Sequence, residues 1–265
     1  TATWKPENSK KYRMTKEQKA EIEELRRAAE VKTAEKYTQA AERSQSIWAG
    51  CEDVVKHEYL EKKQVLSYGL KKDKHDNLVI PLKDKQGTIV GLQFIAADGS
   101  KRFLTGSKKS GSFFLLGREI FNSSDTLNYA EGYATAASIY ADRSQPVVVA
   151  FDAYNLIKVA EVMYQYFPSH KHVFVADNDE SQTGEKEAKK AAAWVNKAGG
   201  YAEVQMPETT GDYNDHKNEV AIAEGEVVLQ KIDVPVEYDF VRSASGRFLN
   251  TKDNIGGVLK THNVD

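Results

Sequence analysis

The chain has 265 residues, with 37 Lys and Arg against 39 Asp and Glu, which is enough for one large or two modest domains with buried cores. No run of about 18 apolar residues occurs and the amino terminus is polar. We therefore expect neither a membrane span nor a secretory signal. A single cysteine, Cys51, excludes an internal disulfide and a cysteine-rich zinc cage. We expect a soluble, cytoplasmic protein without a membrane partner. Because the chain opens at Thr1, we also expect a fragment of something longer.

The first segment, residues 1–55, is predicted to form a helical arm. Residues 15–50 are rich in Ala, Glu, Lys, Arg and Gln, contain no proline, and open with the capping-box pattern Thr15-x-x-Gln18. Their apolar residues are too sparse and small for a coiled-coil seam, so we predict one long helix or two with a thin buried stripe anchored by Trp48.

The second segment, residues 56–120, reads as a small, basic, antiparallel β subdomain. Short apolar runs at 77–82, 88–95, 102–104 and 112–116 alternate with turn residues. Residues 56–118 carry 13 Lys and Arg against 6 Asp and Glu, so this part has a positive surplus. The flexible basic loops suit a phosphate backbone, although each cation could also be an ordinary solvated side chain. The candidate contacts to a nucleic acid or a nucleotide are Lys101, Arg102, Lys108 and Lys109, with Arg118 as an outlier. We expect Phe103, Phe113 and Phe114 to be sheet core rather than a base-stacking surface.

The third segment, residues 121–225, alternates apolar strands with helices, and residues 226–265 form a tail or the start of another module. Strand patterns at 127–130, 146–151, 172–176 and 201–206 are followed or separated by helical patterns. Such repeats predict an α/β domain with a mostly parallel sheet and helices on both faces. Residues 119–224 carry 17 Asp and Glu against 8 Lys and Arg, so an acidic part follows the basic one.

Acidic residues follow each of these strands, where the functional groups of open α/β sheets lie. Carboxylates that converge repel each other unless a cation lies between them, and a few oxygen ligands suit Mg²⁺. Asp152 also precedes a helix, and we favour its role as an N-cap. The acids are Glu131, Asp152, Asp177, Asp179, Asp212 and Asp215.

These motifs, in this order, resemble the TOPRIM domain, in the form found in primases of conjugative plasmids and in phage or prophage primase-helicases. The resemblance rests on Glu131-Gly132-Tyr133-Ala134-Thr135-Ala136, on 147–152, on Val175-Ala176-Asp177-Asn178-Asp179 and on Asp212-Tyr213-Asn214-Asp215. Upstream, His57-Glu58-Tyr59-Leu60 and residues 77–117 resemble the amino-terminal half of the primase core. The chain departs from bacterial replicative primases at Thr135, where those enzymes carry an Asp.

The resemblance implies a Rossmann-like TOPRIM domain with a DNA primase activity that makes short RNA primers on single-stranded DNA from ribonucleoside triphosphates. It implies Glu131, Asp177 and Asp179 as catalytic residues. The same three acids, with Asp212 or Asp215, would bind Mg²⁺ or Mn²⁺. It further implies a bacterial host, with the gene on a phage, prophage or plasmid, and a replicative helicase as partner in cis or in trans.

Two other functions stay open from the sequence. One is a metal-dependent TOPRIM nuclease or topoisomerase that cleaves phosphodiesters. The other is a replication accessory protein that binds single-stranded DNA without catalysis, in which the acids are structural.

Overall fold

A computed structural model describes residues 14–54, 56–117, 124–207 and 210–224. Arg118, residues 1–13 and the segment 226–265 therefore lie outside the described residues. The first part contains α1 (Lys16–Ala49), β1 (Glu52–Asp53), α2 (Glu58–Lys63), β2 (Lys71–Lys72), β3 (Leu78–Lys83), β4 (Ile89–Ile95) and β5 (Lys101–Phe103). The second part contains β6 (Phe114–Leu116), β7 (Thr126–Ala130), α3 (Tyr133–Arg143), β8 (Val147–Val149), a 3₁₀ turn (Ala153–Asn155), α4 (Leu156–Tyr166), β9 (Lys171–Val175), α5 (Thr183–Lys197), β10 (Tyr201–Gln205) and α6 (Tyr213–Glu224).

The arm is one continuous helix, α1, and its predicted capping box is present. The Thr15 hydroxyl accepts the Gln18 N–H, and the Gln18 side chain accepts the Thr15 N–H. Only Ala40, Ser44 and Trp48 are buried in α1, all toward its carboxyl end. The predicted stripe is wrong for the rest of the helix, because Ile22, Leu25 and Tyr37 are exposed. At about 3.6 residues per turn these three lie on roughly the same side of α1 as the buried residues, so their spacing is not the cause. They are exposed because α1 is buried only in its last turns.

The first sheet is antiparallel, as predicted, with strand order β1-β2-β3-β4-β5. Side chains of β3 alternate between its two faces. Val79 packs with Trp48 of α1 and with Leu92, while Leu78 and Ile80 join the larger core shared with the second sheet. The first sheet is therefore covered by the helical arm on one side and by the rest of the protein on the other.

The second sheet has the order β10-β9-β7-β8-β6 and is parallel except for β6. Helix α3 covers one face, and α4 and α5 cover the other, as the strand–helix repeats predicted. The apolar run at 112–116 is predicted to belong to the first sheet. That prediction is wrong, because β6 lies in the second sheet and pairs antiparallel with β8. A short apolar run does not specify its partner strand. Phe113 and Phe114 are buried on opposite faces, which confirms them as core residues.

Helix α2, next to the first sheet, and the loop that follows it are hydrogen-bonded directly to the second half of the protein. The Tyr133 hydroxyl donates to the carbonyls of Leu66 (2.8 Å) and Ser67 (2.6 Å). The Asn214 amide donates to the Lys63 carbonyl (2.7 Å). A cavity opens between the two halves at this junction. The predicted boundaries between the three segments and the tail, at residues 55, 120 and 225, stay predictions. None of the helices in the described ranges is both long and apolar enough to cross a membrane.

Candidate metal and nucleic-acid site

Three of the predicted acids line one cavity of about 290 Å³ between the two sheets. Glu131 directly follows β7, and Asp177 lies two residues beyond β9. Because β7 and β9 are parallel neighbours, their carboxyl ends meet at the same edge. Asp212, the residue before α6, reaches the cavity from the other side.

Asp177 has a buried carboxylate oxygen without a hydrogen-bond donor among the described residues, and a raised pKa. Its Oδ1 atom is buried and accepts no hydrogen bond within the described part of the chain. Burial, together with the charges of Glu131, Asp212 and Asp179, raises the pKa of Asp177 to about 7, against the opposing charge of Lys101. A buried acceptor without a donor costs free energy, which a bound cation would recover.

Glu131 is in a similar environment at the end of the neighbouring strand. Burial raises the pKa of Glu131, and the charges of Asp152 and Asp179 add to that effect. Lys101 and a backbone hydrogen bond with Ala153 act in the opposite direction. The charge of Glu131 in turn raises the pKa of Asp177, so ionisation of Glu131 disfavours ionisation of Asp177.

Asp179 lies at the mouth of this site rather than inside it. Its side chain is exposed and accepts a hydrogen bond from Ser181 Oγ at 2.7 Å. Across the described ranges, no three His, Cys, Asp or Glu side chains are close enough to form a ready-made metal cage. Any ion bound among these carboxylates would therefore have to share its coordination with waters or a substrate.

The structure separates the two acids of the third motif. Asp212 caps α6, where its Oδ1 accepts the Asp215 N–H at 2.9 Å, and it also lines the cavity. Asp215 is exposed, is absent from the cavity wall, and has its Oδ1 2.6 Å from Lys63 Nζ. Of this pair, Asp212 is the acid that faces Asp177.

Cations line the same cavity as the acids, and Lys63 Nζ lies 3.8 Å from Asp212 Oδ2. Lys101 of β5 belongs to this group, with its Nζ 3.6 Å from where a Cβ on Gly132 would lie. Lys62 and Lys63 of α2 also line the cavity, and the sequence reasoning did not single them out. The only signal for them was the positive surplus of the segment, which does not say which lysines face inward.

The other predicted cations lie away from the cavity wall. Arg102 projects to the opposite face of β5 from Lys101 and stacks 4.3 Å over the Phe94 ring, as strand alternation requires. Lys108 is exposed in the following loop. Lys109 donates to Asp152 Oδ2 at 2.9 Å and lies 4.7 Å from the centroid of the Phe103 ring.

The segment after β8 has a strained backbone next to the acids. Phe151 lines the cavity with a φ of 71°, a left-handed conformation that is costly for a bulky side chain. Asp152 then accepts the Asn155 N–H at 2.9 Å, which confirms the predicted cap. The strain at Phe151 turns the chain sharply at the edge that holds Glu131, and no sequence pattern indicated it.

Comparison with known proteins places these features in context. Residues 126–222 match the family model described as the Toprim domain. The chain is 38% identical over 101 residues to the DNA primase TraC of Escherichia coli, covering 38% of this chain and 10% of that protein. A second DNA primase TraC of Escherichia coli is 31% identical over 190 residues, covering 67% of this chain and 13% of that protein. The chain thus spans only about a tenth of the length of these curated relatives.

Two solved structures are similar in shape. The primase fragment of the bacteriophage T7 primase-helicase protein has a TM-score of 0.44 and 23% identity, covering 63% of this chain and 69% of that one. The DnaG catalytic core has a TM-score of 0.49 and 12% identity, covering 69% of this chain and 75% of that one.

Proposed function

We propose that this chain, whose residues 126–222 belong to the Toprim domain family, is the catalytic core of a DNA primase. In this proposal it joins ribonucleoside triphosphates on a single-stranded DNA template by metal-dependent nucleotidyl transfer. One observation carries the proposal: the buried, unpartnered carboxylate oxygen of Asp177 lies in a cavity that Glu131, Asp212 and three lysines also line. A site for a nucleoside triphosphate needs both kinds of charge, because the phosphates bind a cation and ammonium groups together.

The donor set fits a hard divalent cation. Glu131, Asp177 and Asp212 offer carboxylate oxygens, with Asp179 at the mouth, and among the described residues no sulfur or imidazole group lines the cavity. We propose Mg²⁺ or Mn²⁺ as the ion held by these acids. Such an ion, when bound, lowers the pKa of an attacking 3′-hydroxyl and offsets the charge that develops on the α-phosphate and the leaving pyrophosphate.

The side chains of this protein contribute binding and orientation. Asp177 and Glu131 are fixed at the ends of adjacent strands, so the distance between them is set by sheet pairing. Lys101, with Lys62 and Lys63, lines the same cavity and would bind the phosphates of the incoming nucleotide. No side-chain nucleophile is required by this chemistry.

Three tyrosines in or near the acidic site give no support to a topoisomerase. Tyr133 is buried, and its hydroxyl donates to two backbone carbonyls. The Tyr213 hydroxyl donates to Asp142 at 3.1 Å. Tyr59 does line the cavity, but burial and the charges of Asp212 and Asp215 raise its pKa to about 12, which opposes phenolate formation.

The biological setting is proposed by analogy with the relatives. The curated relatives are named as DNA primases, and one similar structure is a fragment of a primase-helicase protein. We propose single-stranded DNA as template and a replicative helicase as partner, in cis or in trans, in a bacterial cell that carries a plasmid, phage or prophage.

A primer-extension assay tests the proposal. The chain is incubated with Mg²⁺ or Mn²⁺, labelled ribonucleotides and single-stranded DNA carrying a short annealed RNA, so that extension does not depend on start-site recognition. Extended RNA is expected from the natural chain, and shortened DNA would instead indicate a nuclease. A shifted complex without any product would indicate the accessory protein.

Variants at the acids complete the test. Asp177→Asn and Asp179→Asn are expected to abolish extension while the circular-dichroism spectrum stays native. Asp125→Asn is the matched control, since Asp125 is exposed and lies just before β7, at the strand end opposite Glu131. Normal yield from both active-site variants would overturn the metal assignment.

A further inference from the structure

The segment 104–113, here called the basic crossover, connects the first sheet to the second and carries Lys108 and Lys109. Backbone hydrogen bonds attach it to the first sheet at several points. The Leu104 N–H donates to the Leu92 carbonyl at 2.8 Å, the Lys108 N–H donates to the Val90 carbonyl at 3.4 Å, and Phe113 exchanges two bonds of 2.9 Å with Lys83. These bonds hold the crossover on the first sheet, and its attachment to the second sheet has to come from other groups.

Asn155, in the 3₁₀ turn after β8, supplies that second attachment. Its side chain is 5% exposed. Its Oδ1 accepts the Gly111 N–H at 2.8 Å, and its Nδ2 donates to the carbonyls of Ser112 (2.9 Å) and Ala150 (2.8 Å). One primary amide thus bonds the crossover twice and the end of β8 once. Only Asn or Gln has an acceptor and two donors on one group, and the longer Gln would not fit the same buried space.

Asp152 extends this attachment to the charged part of the crossover. Its Oδ1 accepts the Asn155 N–H, while its Oδ2 accepts a hydrogen bond from Lys109 Nζ. Asp152 is also close enough to Glu131 to raise the pKa of that carboxyl group. Lys109 is therefore held at the acidic edge of the second sheet, with the exposed Lys108 next to it in the chain.

We propose that Asn155 is a positioning residue that fixes the basic crossover against the second sheet, so that Lys108 and Lys109 meet the backbone of a single-stranded nucleic acid passing Glu131. This inference rests on the proposed function and adds to it the contact surface for the template strand. Without the Asn155 side chain, the Gly111 N–H and two carbonyls lose their partners. The crossover would then move toward water to recover hydrogen bonds, and its lysines would no longer act from fixed positions.

The test is a double-mutant cycle on the full chain, with fluorescence anisotropy of a labelled oligothymidine measured at several salt concentrations. The plot of log affinity against log salt has a slope that counts neutralised phosphates, with about 0.7 per contact on a single strand. The double variant Lys108→Gln/Lys109→Gln loses two phosphate contacts, so the magnitude of this slope is expected to fall by about 1.4. Asn155→Ala is expected to reduce it by a similar amount, and the triple variant no further, because both changes remove the same contacts.

Two further variants keep the result interpretable. Asn196→Ala is the matched control, since Asn196 makes the same kind of bonds to Ala202 at the start of β10, and its slope should equal that of the natural chain. Asn155→Asp keeps the acceptor for Gly111 but loses the donors, so an intermediate slope is expected. It also provides the measurement if Asn155→Ala does not fold.

Three results would overturn the inference. They are an unchanged slope in the folded Asn155 variants, a slope loss in the triple variant equal to the sum of its parts, or no effect of the lysine changes. The last result would leave the proposed function standing if Asp177→Asn still abolishes extension. Conversely, active Asp177→Asn protein would refute the metal site without altering the slopes.

Discussion

Lys63 and Asp215 form a hydrogen-bonded ion pair, with 2.6 Å between Nζ and Oδ1, that joins α2 to α6 beside the cavity. The Lys63 carbonyl also accepts hydrogen bonds from the side-chain amides of Asn214 (2.7 Å) and Asn218 (3.3 Å). Burial lowers the pKa of Lys63, but the bond to Asp215 and the charges of Asp212 and Asp177 outweigh it and raise the pKa. Lys63 is therefore a stable cation beside the acids.

Replacing this cation should separate metal binding from nucleotide binding. In Lys63→Met, Asp212 and Asp177 lose a nearby positive charge, so Mn²⁺ affinity should stay the same or rise by up to about fivefold, the equivalent of a partly exposed ion pair. Affinity for a ribonucleoside triphosphate should fall by a similar factor. Free Mn²⁺ is measured by electron paramagnetic resonance and the triphosphate by its KM.

Lys158→Met is the control, because Lys158 pairs with Glu161 on α4. It should change neither value. Weaker Mn²⁺ binding in folded Lys63→Met protein would contradict this account, since it would mean that Lys63 holds the acids in place rather than competing with the ion.

The acids of the third motif should differ in metal affinity. Asp212→Asn removes a carboxylate that faces Asp177, and we expect Mn²⁺ affinity to fall about tenfold or more. Asn is an equally good N-cap, so α6 should form normally. Asp215→Asn should leave Mn²⁺ affinity within about twofold, because Asp215 is outside the cavity wall. Equal losses in the two variants would show that both acids reach the ion.

The stability of the metal-free protein should fall as the pH rises toward neutrality. The pKa of Asp177 is raised from 3.8 to about 7, so the folded state holds a proton that the unfolded state releases. This stabilising contribution is complete below pH 3.8 and is lost as the pH rises through about 7. The free energy of unfolding should decrease by at most about 1.4 kcal/mol per pH unit in that window.

Asp177→Asn isolates this contribution. Urea titrations in chelator at several pH values should give the variant a shallower pH dependence than the natural chain, and greater stability above pH 7. An identical pH dependence would show that Asp177 ionises normally in the folded state.

The Tyr133 hydroxyl should contribute to stability rather than to chemistry. Tyr133→Phe removes the one hydroxyl proton that two half-buried carbonyls share, and we expect a loss of about 1–2 kcal/mol in the free energy of unfolding. Tyr164→Phe loses one exposed bond to the Ala198 carbonyl and should cost less than about 1 kcal/mol. Primer extension well below the melting temperature should persist in Tyr133→Phe. Abolished extension in the folded variant would assign a chemical role to this tyrosine.

The amino-acid sequence by itself determined the elements and the edge at which acids gather. Strand–helix repeats predict a parallel sheet, and adjacent parallel strands bring residues such as Glu131 and Asp177 to one edge whatever else the chain does. Alternation along β3 likewise distributed its apolar side chains to two cores. These features follow from periodicities that a local stretch of chain already contains.

Only the tertiary structure decided which charged residues share the cavity. The sequence could not place β6 in the second sheet, separate Asp212 from Asp215, or bring Lys62 and Lys63 into the wall of the cavity. Each of these outcomes depends on contacts between segments far apart in the chain, such as Lys63 with Asp215, and a local periodicity does not encode a distant partner. The same holds for Asn155, whose bonds to the basic crossover exist only because two sheets pack together.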